Sequence, residues 1–321
     1  MLQRFPVIVG PTAGGKSALA MALARALERD GLPPGEIVTA DSMQVYRGMD
    51  IGTAKPTAEE RASVPHHLID IAHPAQSFSV EQWLRAAEAL INDLRRRERT
   101  PIVVGGTHFY VKALIEGLFE GPAGDAALRA RLGAEPREAL RVRLELVDPA
   151  AAARIHPNDL RRTIRALEVF ELTGAPISQH QQQWDAGNVR PDVLLIGLEW
   201  ETEDLNRRIN ARVKQMVERG LVEEARSLWS AGALGPQARE ALGYKQLIEH
   251  FERRATLDDA IEQIKIETRR FAKNQRTWLK RLRAIPGSMW IAGEVPPDTA
   301  RIIDELGRSV RDQNSALHDD P

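Results

Sequence analysis

Residues Gly10-Pro11-Thr12-Ala13-Gly14-Gly15-Lys16-Ser17 fit the pattern G-x-x-x-x-G-K-[ST]. What flanks them makes this segment the strongest constraint on the fold. Val7-Ile8-Val9 is a short β-branched run of the kind that forms a buried strand, and Ala18 to Leu27 is a string of strong helix formers. Strand, glycine loop and helix in that order make a phosphate-binding loop. The glycines let the backbone bend with its N–H groups inward, and the helix N-terminus adds positive potential. Lys16 can reach a terminal phosphate, and the Ser17 hydroxyl can hold Mg²⁺. A Gly-rich turn ahead of a surface helix is the plainer alternative. The loop does not reveal which phosphate it holds.

The first 120 residues alternate strand and helix. Ile37-Val38-Thr39-Ala40 and Pro101-Ile102-Val103-Val104 read as strands, with Val80 to Arg96 as a helix between them. This alternation predicts an α/β fold with a P-loop-type parallel sheet flanked by helices. In such sheets ligands bind beyond the carboxyl ends of the strands. Gly10, Asp41 and Gly105 all follow strand ends, so three separate stretches are expected to converge on one crevice. From about Gly121 to Gly187 no strand signal appears. Within that region Asn158 reads as an N-cap, Asp159 to Leu172 as a helix and Gly174 as its C′ glycine. Val193 to Leu198 reads as a strand returning to the sheet. The expected organisation is a P-loop α/β core of residues 1–120 and 191–321 with C-terminal helices, and an all-helical insertion at 121–190. Ser309 to Pro321 reads as a frayed polar tail.

Composition narrows the class. The chain has 321 residues, of which 43% are apolar and 28% charged, as in a soluble globular protein. No stretch reaches the apolar length of a membrane span. The first strand starts within five residues, which leaves no space for a signal peptide. There is no Cys, so disulfides and thiolate zinc sites are excluded. A cytoplasmic protein acting as a monomer is expected. Net charge is −1, so any affinity for nucleic acid must lie in how the charge is distributed.

Asp41 stands beyond a strand end, facing the phosphate loop, where a carboxylate is suited to taking a proton or holding a metal. An N-cap or Asx-turn aspartate is the plain alternative. Gly105-Gly106-Thr107 repeats the strand–glycine–polar order and offers one hydroxyl, although paired glycines often mark only a turn. Arg208 and Arg212 lie four apart on an expected helix from Glu203 to Trp229. They share a face that can clamp a diphosphate, or simply meet solvent. His66-His67 invites a metal reading, but adjacent histidines point apart and no carboxylate sits at ligand spacing.

Thr268 to Arg283 holds seven basic residues and no acidic one. Ile261, Ile264, Thr268, Phe271, Gln275, Trp278 and Leu282 step by three and four and are expected to pack inward. Arg269, Lys273, Arg276 and Lys280 line another face. An unbroken basic stripe fits a phosphate backbone, because each neutralised phosphate releases counterions. Arg161, Arg162 and Arg165 form a second basic cluster inside the insertion. Two clusters suit an extended polyanion better than a small substrate.

Together these segments resemble the bacterial tRNA dimethylallyltransferases, or tRNA isopentenyltransferases. The resemblance runs through Gly10 to Ser17, the long segment from Asp41 to Pro56, Pro65-His66-His67-Leu68-Ile69-Asp70 and Gly105-Gly106-Thr107-x-x-Tyr110-x-Lys112. It continues in His156-Pro157-Asn158-Asp159, Arg165 to Val169, Gly243-Tyr244 and Gln275-Arg276-Thr277-Trp278. The resemblance implies transfer of a dimethylallyl group from dimethylallyl diphosphate, with Mg²⁺, to N6 of an adenosine. That adenosine is position 37, beside the anticodon in the stem-loop of tRNAs reading codons that begin with U. It implies Asp41 as general base and Thr107 as a hydrogen-bond donor near the bridging oxygen. Lys16, the rest of the Thr12–Ser17 loop, Arg212 and Arg208 would hold the leaving diphosphate.

By the same resemblance, Asp41, Ser42, Met43, Gln44 and Thr107 lie in segments that touch tRNA. So do Arg161, Arg162, Thr163, Ile164 and Arg165. Arg129, then Arg239 with Gly243, Tyr244 and Lys245, and finally Lys273, Gln275, Arg276 and Lys280 extend that set. The sequence departs from the family at Gly14, where many members have Ser, and at His108 and Phe109, which are expected to narrow or line the allyl channel. Rival readings are a small-molecule kinase, an enzyme that prenylates free AMP, ADP or ATP, and a nucleotide-gated RNA-binding protein without catalysis. The two basic clusters argue against the first two. The third needs neither Asp41 nor Thr107. Under the transferase reading the bond broken is carbon–oxygen, and ATP hydrolysis is not expected.

Overall fold

The computed structural model describes residues 2–118, 121–180, 189–293 and 299–308. The chain divides into two compact units, one of residues 1–115 with 190–321 and one of residues 116–189.

In the larger unit, β1 (Phe5–Val9), β2 (Gly35–Thr39), β3 (His66–His67), β4 (Thr100–Gly105), β5 (Val193–Glu199) and β6 (Met289–Ala292) form one sheet. Its order is β3-β2-β4-β1-β5-β6, and every pairing is parallel. All residues of β1, β2 and β4 are buried, as expected of a parallel sheet covered on both faces. Helices α1 (Lys16–Arg29), α2 (Ala58–Ser63), α3 (Val80–Arg96) and α4 (His108–Glu116) occupy the first half. Register sets the strand ends level: Val9 pairs with both Gly105 and Gly197, and Thr39 pairs with Val104. The expected convergence of Gly10, Asp41 and Gly105 follows from that register. Gly105 is obligatory for it, since a Cβ there would overlap the Ala40 carbonyl.

The smaller unit is helical among its described residues: α5 (Ala126–Gly133), α6 (Arg137–Val147), α7 (Pro149–Arg154), α8 (Leu160–Thr173) and α9 (Ile177–His180). Leu132, Leu140, Leu144 and Leu167 form its core. Asp159, not Asn158, caps α8, its carboxylate accepting from the Arg162 N–H at 3.1 Å. Gly174 ends the helix in the left-handed region at φ 73°. Part of the expected insertion, residues 181–188, lies outside the described residues, as does the expected tail from Ser309.

The larger unit ends in α10 (Thr202–Glu218), α11 (Leu221–Ser230), α12 (Tyr244–Phe251), α13 (Leu257–Leu282) and α14 (Thr299–Gly307). The single helix expected from Glu203 to Trp229 is two. Gly220, at φ 98°, breaks it and lets Leu221 and Ala225 turn back into the core. On α13 the inward face is also shifted. Ala260, Ile264, Ala272, Gln275, Leu279 and Leu282 are buried, whereas Phe271 is exposed and Trp278 only half-buried. The alanines allow close helix packing, so the larger aromatic side chains are left at the rim. Strand β6, of four residues, and helix α14, of nine, are additions to the elements expected from the sequence. They add to the sheet edge and to the layer against α1, where Ile302 and Leu306 are buried.

Candidate functional site

Beyond the ends of β1, β2 and β4 lies an open crevice of about 1280 Å³. Thr12 to Ser17, Asp41 to Gln44, Gly106, Thr107, Arg208, Arg212, Gly243, Lys245 and Gln275 line it. It thus gathers the glycine loop, the acid, the hydroxyl and both α10 arginines. Arg239, Lys273, Arg276 and Lys280 do not line it.

The glycine loop is held from outside by its carbonyls. Trp200 Nε1 donates to Gly14 O at 2.9 Å, and Arg208 Nε donates to Ala13 O at 2.8 Å. The Arg208 guanidinium lies 4.4 Å over the Trp200 ring, which fixes its plane. Lys16 Nζ folds back onto Gly10 O and Pro11 O, at 3.0 and 2.8 Å. The N–H groups of Gly15, Lys16 and Ser17 have no protein acceptor among the described residues, as an anion site at a helix N-terminus requires. Ala13 and Gly15 take left-handed φ of 58° and 85° to produce this shape. At Gly14 a Cβ would come 2.8 Å from Pro11 O, so the loop of this chain has settled around the missing side chain.

Lys16, Arg208 and Arg212 act on one another electrostatically in the crevice. Burial, and then the neighbouring Arg212, lowers the Lys16 pKa to about 8, with Asp41 opposing. Burial likewise lowers that of Arg212, which Asp41 counteracts and Arg208 reinforces. Arg212 has no hydrogen bond to protein among the described residues. Its charge is therefore available to an anion beside the loop.

Asp41 makes the Asx turn that is the plainer of its two sequence readings. Its Oδ1 accepts from Met43 N at 2.9 Å and Gln44 N at 3.3 Å, an Asx turn. The other oxygen has no hydrogen bond among the described residues. Thr107 Oγ1 accepts from Ser42 N at 3.0 Å and donates to Ser42 Oγ at 3.3 Å.

The segment after Asp41 is anchored by its own Gln44 and Lys55 and by residues from farther along the chain. Gln44 Nε2 donates to Thr53 O and Ala54 O. Lys55 is buried against Asp50, Asp70 and Tyr46 O. Glu224, far along the chain on α11, accepts from the backbone N–H of Asp50, Ile51 and Gly52, and from the Tyr244 hydroxyl. Tyr244 is itself fully buried, so its part in any interface is to hold this loop. Gly243, at φ 93°, opens α12 ahead of it.

His108 and Phe109 do not line the crevice. His108 is buried in the first turn of α4, its Nε2 without a hydrogen bond among the described residues, and burial with Lys16 nearby lowers its pKa to about 4. His67 pairs with Glu36 at 2.7 Å, and His66 Nδ1 meets Val64 O. In the smaller unit Arg129 and Arg165 both close on the buried Glu168, while Arg161 and Arg162 are exposed and Ile164 is half-buried. Thr163 is buried and bonded to Asp159 O. On α13, Arg269 is held by Asn210 and Arg276 by Thr202, which leaves Lys273 and Lys280 as the exposed cations of that stripe. Arg239 pairs with Glu252, and Lys245 with Glu240.

A family model described as IPP transferase matches residues 44–282. The chain belongs to the IPP transferase family. Among its relatives, the tRNA dimethylallyltransferase of Geobacillus thermodenitrificans is 45% identical over 318 residues, 97% of each chain. The tRNA dimethylallyltransferase 1 of Citrifermentans bemidjiense is 48% identical over 273 residues, 85% of this chain and 87% of that one. The crystal structure of the full-length tRNA isopentenylpyrophosphate transferase from Bacillus halodurans matches with a TM-score of 0.70 at 40% identity, covering 98% and 99% of the two chains. A eukaryotic dimethylallyltransferase acting on tRNA matches with a TM-score of 0.80 at 28% identity, covering 94% of this chain and 77% of that chain.

Proposed function

We propose that this IPP transferase moves a dimethylallyl group from dimethylallyl diphosphate to N6 of adenosine 37 in tRNAs that read codons beginning with U. The observation that carries this reading is that Asp41 lines one crevice with Lys16, Arg208 and Arg212, near enough for its charge to act on Lys16 and Arg212. The crevice thus brings a base together with an anion sink. In the displacement, N6 forms a bond to the allylic carbon as the carbon–oxygen bond to diphosphate breaks. Negative charge grows on the diphosphate, where Lys16, Arg212 and the loop N–H groups stabilise it. The N6 proton passes to the free oxygen of Asp41. The Thr107 hydroxyl donates a hydrogen bond near the bridging oxygen and keeps its proton.

A stacked adenosine cannot present N6 in line, so it enters the crevice flipped out of the anticodon loop. The Ser17 hydroxyl is exposed on the crevice wall, and Mg²⁺ is commonly held by one or two protein oxygens together with substrate phosphates and water. The residues fit such an ion, which supplies charge neutralisation to the leaving diphosphate. Lys273 and Lys280, with Arg161 and Arg162 of the smaller unit, supply cations for the RNA backbone.

The test is incubation with labelled dimethylallyl diphosphate, Mg²⁺ and either bulk tRNA or AMP. Label in tRNA alone is expected. Label in AMP alone would replace the reading with a nucleotide prenyltransferase. Phosphate release from ATP without prenyl transfer would replace it with a kinase or ATPase.

A further inference from the structure

Gln275 is a buried amide on a helix whose opposite side is basic. Burying an amide is unfavourable unless both of its ends are paired, and here both are. Its Oε1 accepts from the Thr12 N–H at 2.8 Å, and its Nε2 donates to Gly106 O at 2.9 Å. Thr12 belongs to the glycine loop, and Gly106 precedes the hydroxyl of Thr107. Among the described residues no other side chain hydrogen-bonds both loops. The fit is tight from the far side as well, since a Cβ on Gly106 would come 2.9 Å from Gln275 Nε2. Lys273 lies two residues away and Lys280 five, on the exposed side of the same α13.

We infer that Gln275 is a positioning residue that couples the exposed basic face of α13 to the diphosphate site. The inference rests on the proposed transferase reading. A polyanion seated on Lys273 and Lys280 fixes the placement of α13. Through Gln275 that placement sets the separation of the glycine loop from the Gly105-Gly106-Thr107 turn. Diphosphate and RNA then strengthen each other's binding by the same factor. Only an amide serves, because the site needs one acceptor and one donor. A glutamate would keep the Thr12 bond but turn an oxygen toward Gly106 O and place a negative charge beside the diphosphate.

The test measures inorganic diphosphate binding by calorimetry, with Mg²⁺, in the presence and absence of saturating anticodon stem-loop RNA. The full chain is compared with Gln275→Met and Gln275→Glu. The unaltered chain is expected to bind diphosphate at least about fivefold tighter with RNA present. In Gln275→Met that ratio falls to about one, kcat drops by about 10- to 100-fold, and stem-loop affinity stays within about threefold. Gln275→Glu binds diphosphate more weakly in both conditions. A ratio of one in the unaltered chain, or an unchanged ratio in Gln275→Met, overturns the inference. If Gln275→Met does not fold, Gly106→Ala, which crowds the same amide without removing it, is expected to lower the ratio, and an unchanged ratio there overturns it equally. An unaltered chain that transfers no prenyl group would instead overturn the transferase reading.

Discussion

Thr107 and Ser42 are joined across two strand ends by a reciprocal pair of hydrogen bonds. Ser42 N donates to Thr107 Oγ1 at 3.0 Å, and the Thr107 hydroxyl donates to Ser42 Oγ at 3.3 Å. The first bond fixes the Asp41 turn to the Gly105-Gly106-Thr107 turn. The second is long, so the hydroxyl swings readily to hydrogen-bond a better acceptor such as a diphosphate oxygen. Thr107→Val keeps the shape and removes both bonds. It is expected to lower kcat by about 10²- to 10³-fold in steady-state prenyl transfer, the usual loss of an oxyanion donor. Ser42→Ala removes only the long bond, and its kcat should stay within about fivefold. Equal losses in the two variants would show that Thr107 acts on the loop and not on the diphosphate.

Asp41→Asn separates the proposed base from the turn. The amide oxygen still accepts from Met43 N and Gln44 N, but the side chain no longer takes a proton. Transfer is expected to fall by about 10²- to 10⁴-fold, while stem-loop affinity by filter binding stays within several-fold. Near-normal turnover would remove Asp41 from the chemistry.

Lys16 gives diphosphate binding a pH limit. Its pKa is lowered to about 8, by burial first and Arg212 second, so the free protein carries the charged form below that pH and loses it above. Binding an anion requires the charged form. Affinity should therefore weaken as pH rises through 8, approaching about tenfold per pH unit. Lys16→Arg keeps its charge and serves as the control for titration of the ligand itself. Calorimetry from pH 6.5 to 10 checks this, and parallel profiles for the two proteins would contradict it.

The basic face of α13 predicts a salt dependence. Arg269 and Arg276 are held by Asn210 and Thr202, so Lys273 and Lys280 are the pair to remove. Lys273→Ala with Lys280→Ala should reduce the slope of log affinity for tRNA against log salt by about two. Transfer to tRNA at saturation should fall as well, toward that of Gln275→Met, since the RNA then no longer fixes the placement of α13. An unchanged slope would assign the stripe to solvent.

Periodicity and spacing made the phosphate loop, the four longer strands, α3 and the basic run legible, because each is a local pattern. The loop and its strand also placed Asp41 and Thr107 near one another, since parallel strands deliver their carboxyl ends to one edge. Helix boundaries were less legible. Gly220 divides α10 from α11 through a left-handed φ that a run of helix formers does not announce. The inward face of α13 moved from Phe271 to Ala272 because close helix packing favours the small side chain.

Sequence by itself thus determined the class of fold and the kinds of group that meet at the strand ends. Tertiary structure alone decided how those groups are held. Glu224 is more than 170 residues from the backbone it clasps, and Gln275 more than 260 from Thr12. Glu224 carries no local sequence signal, and the helical spacing and resemblance that single out Gln275 do not name its partners. Whether a buried carboxylate or amide finds its partners depends on contacts between segments distant in the chain, and those contacts exist only once the core has brought the segments together.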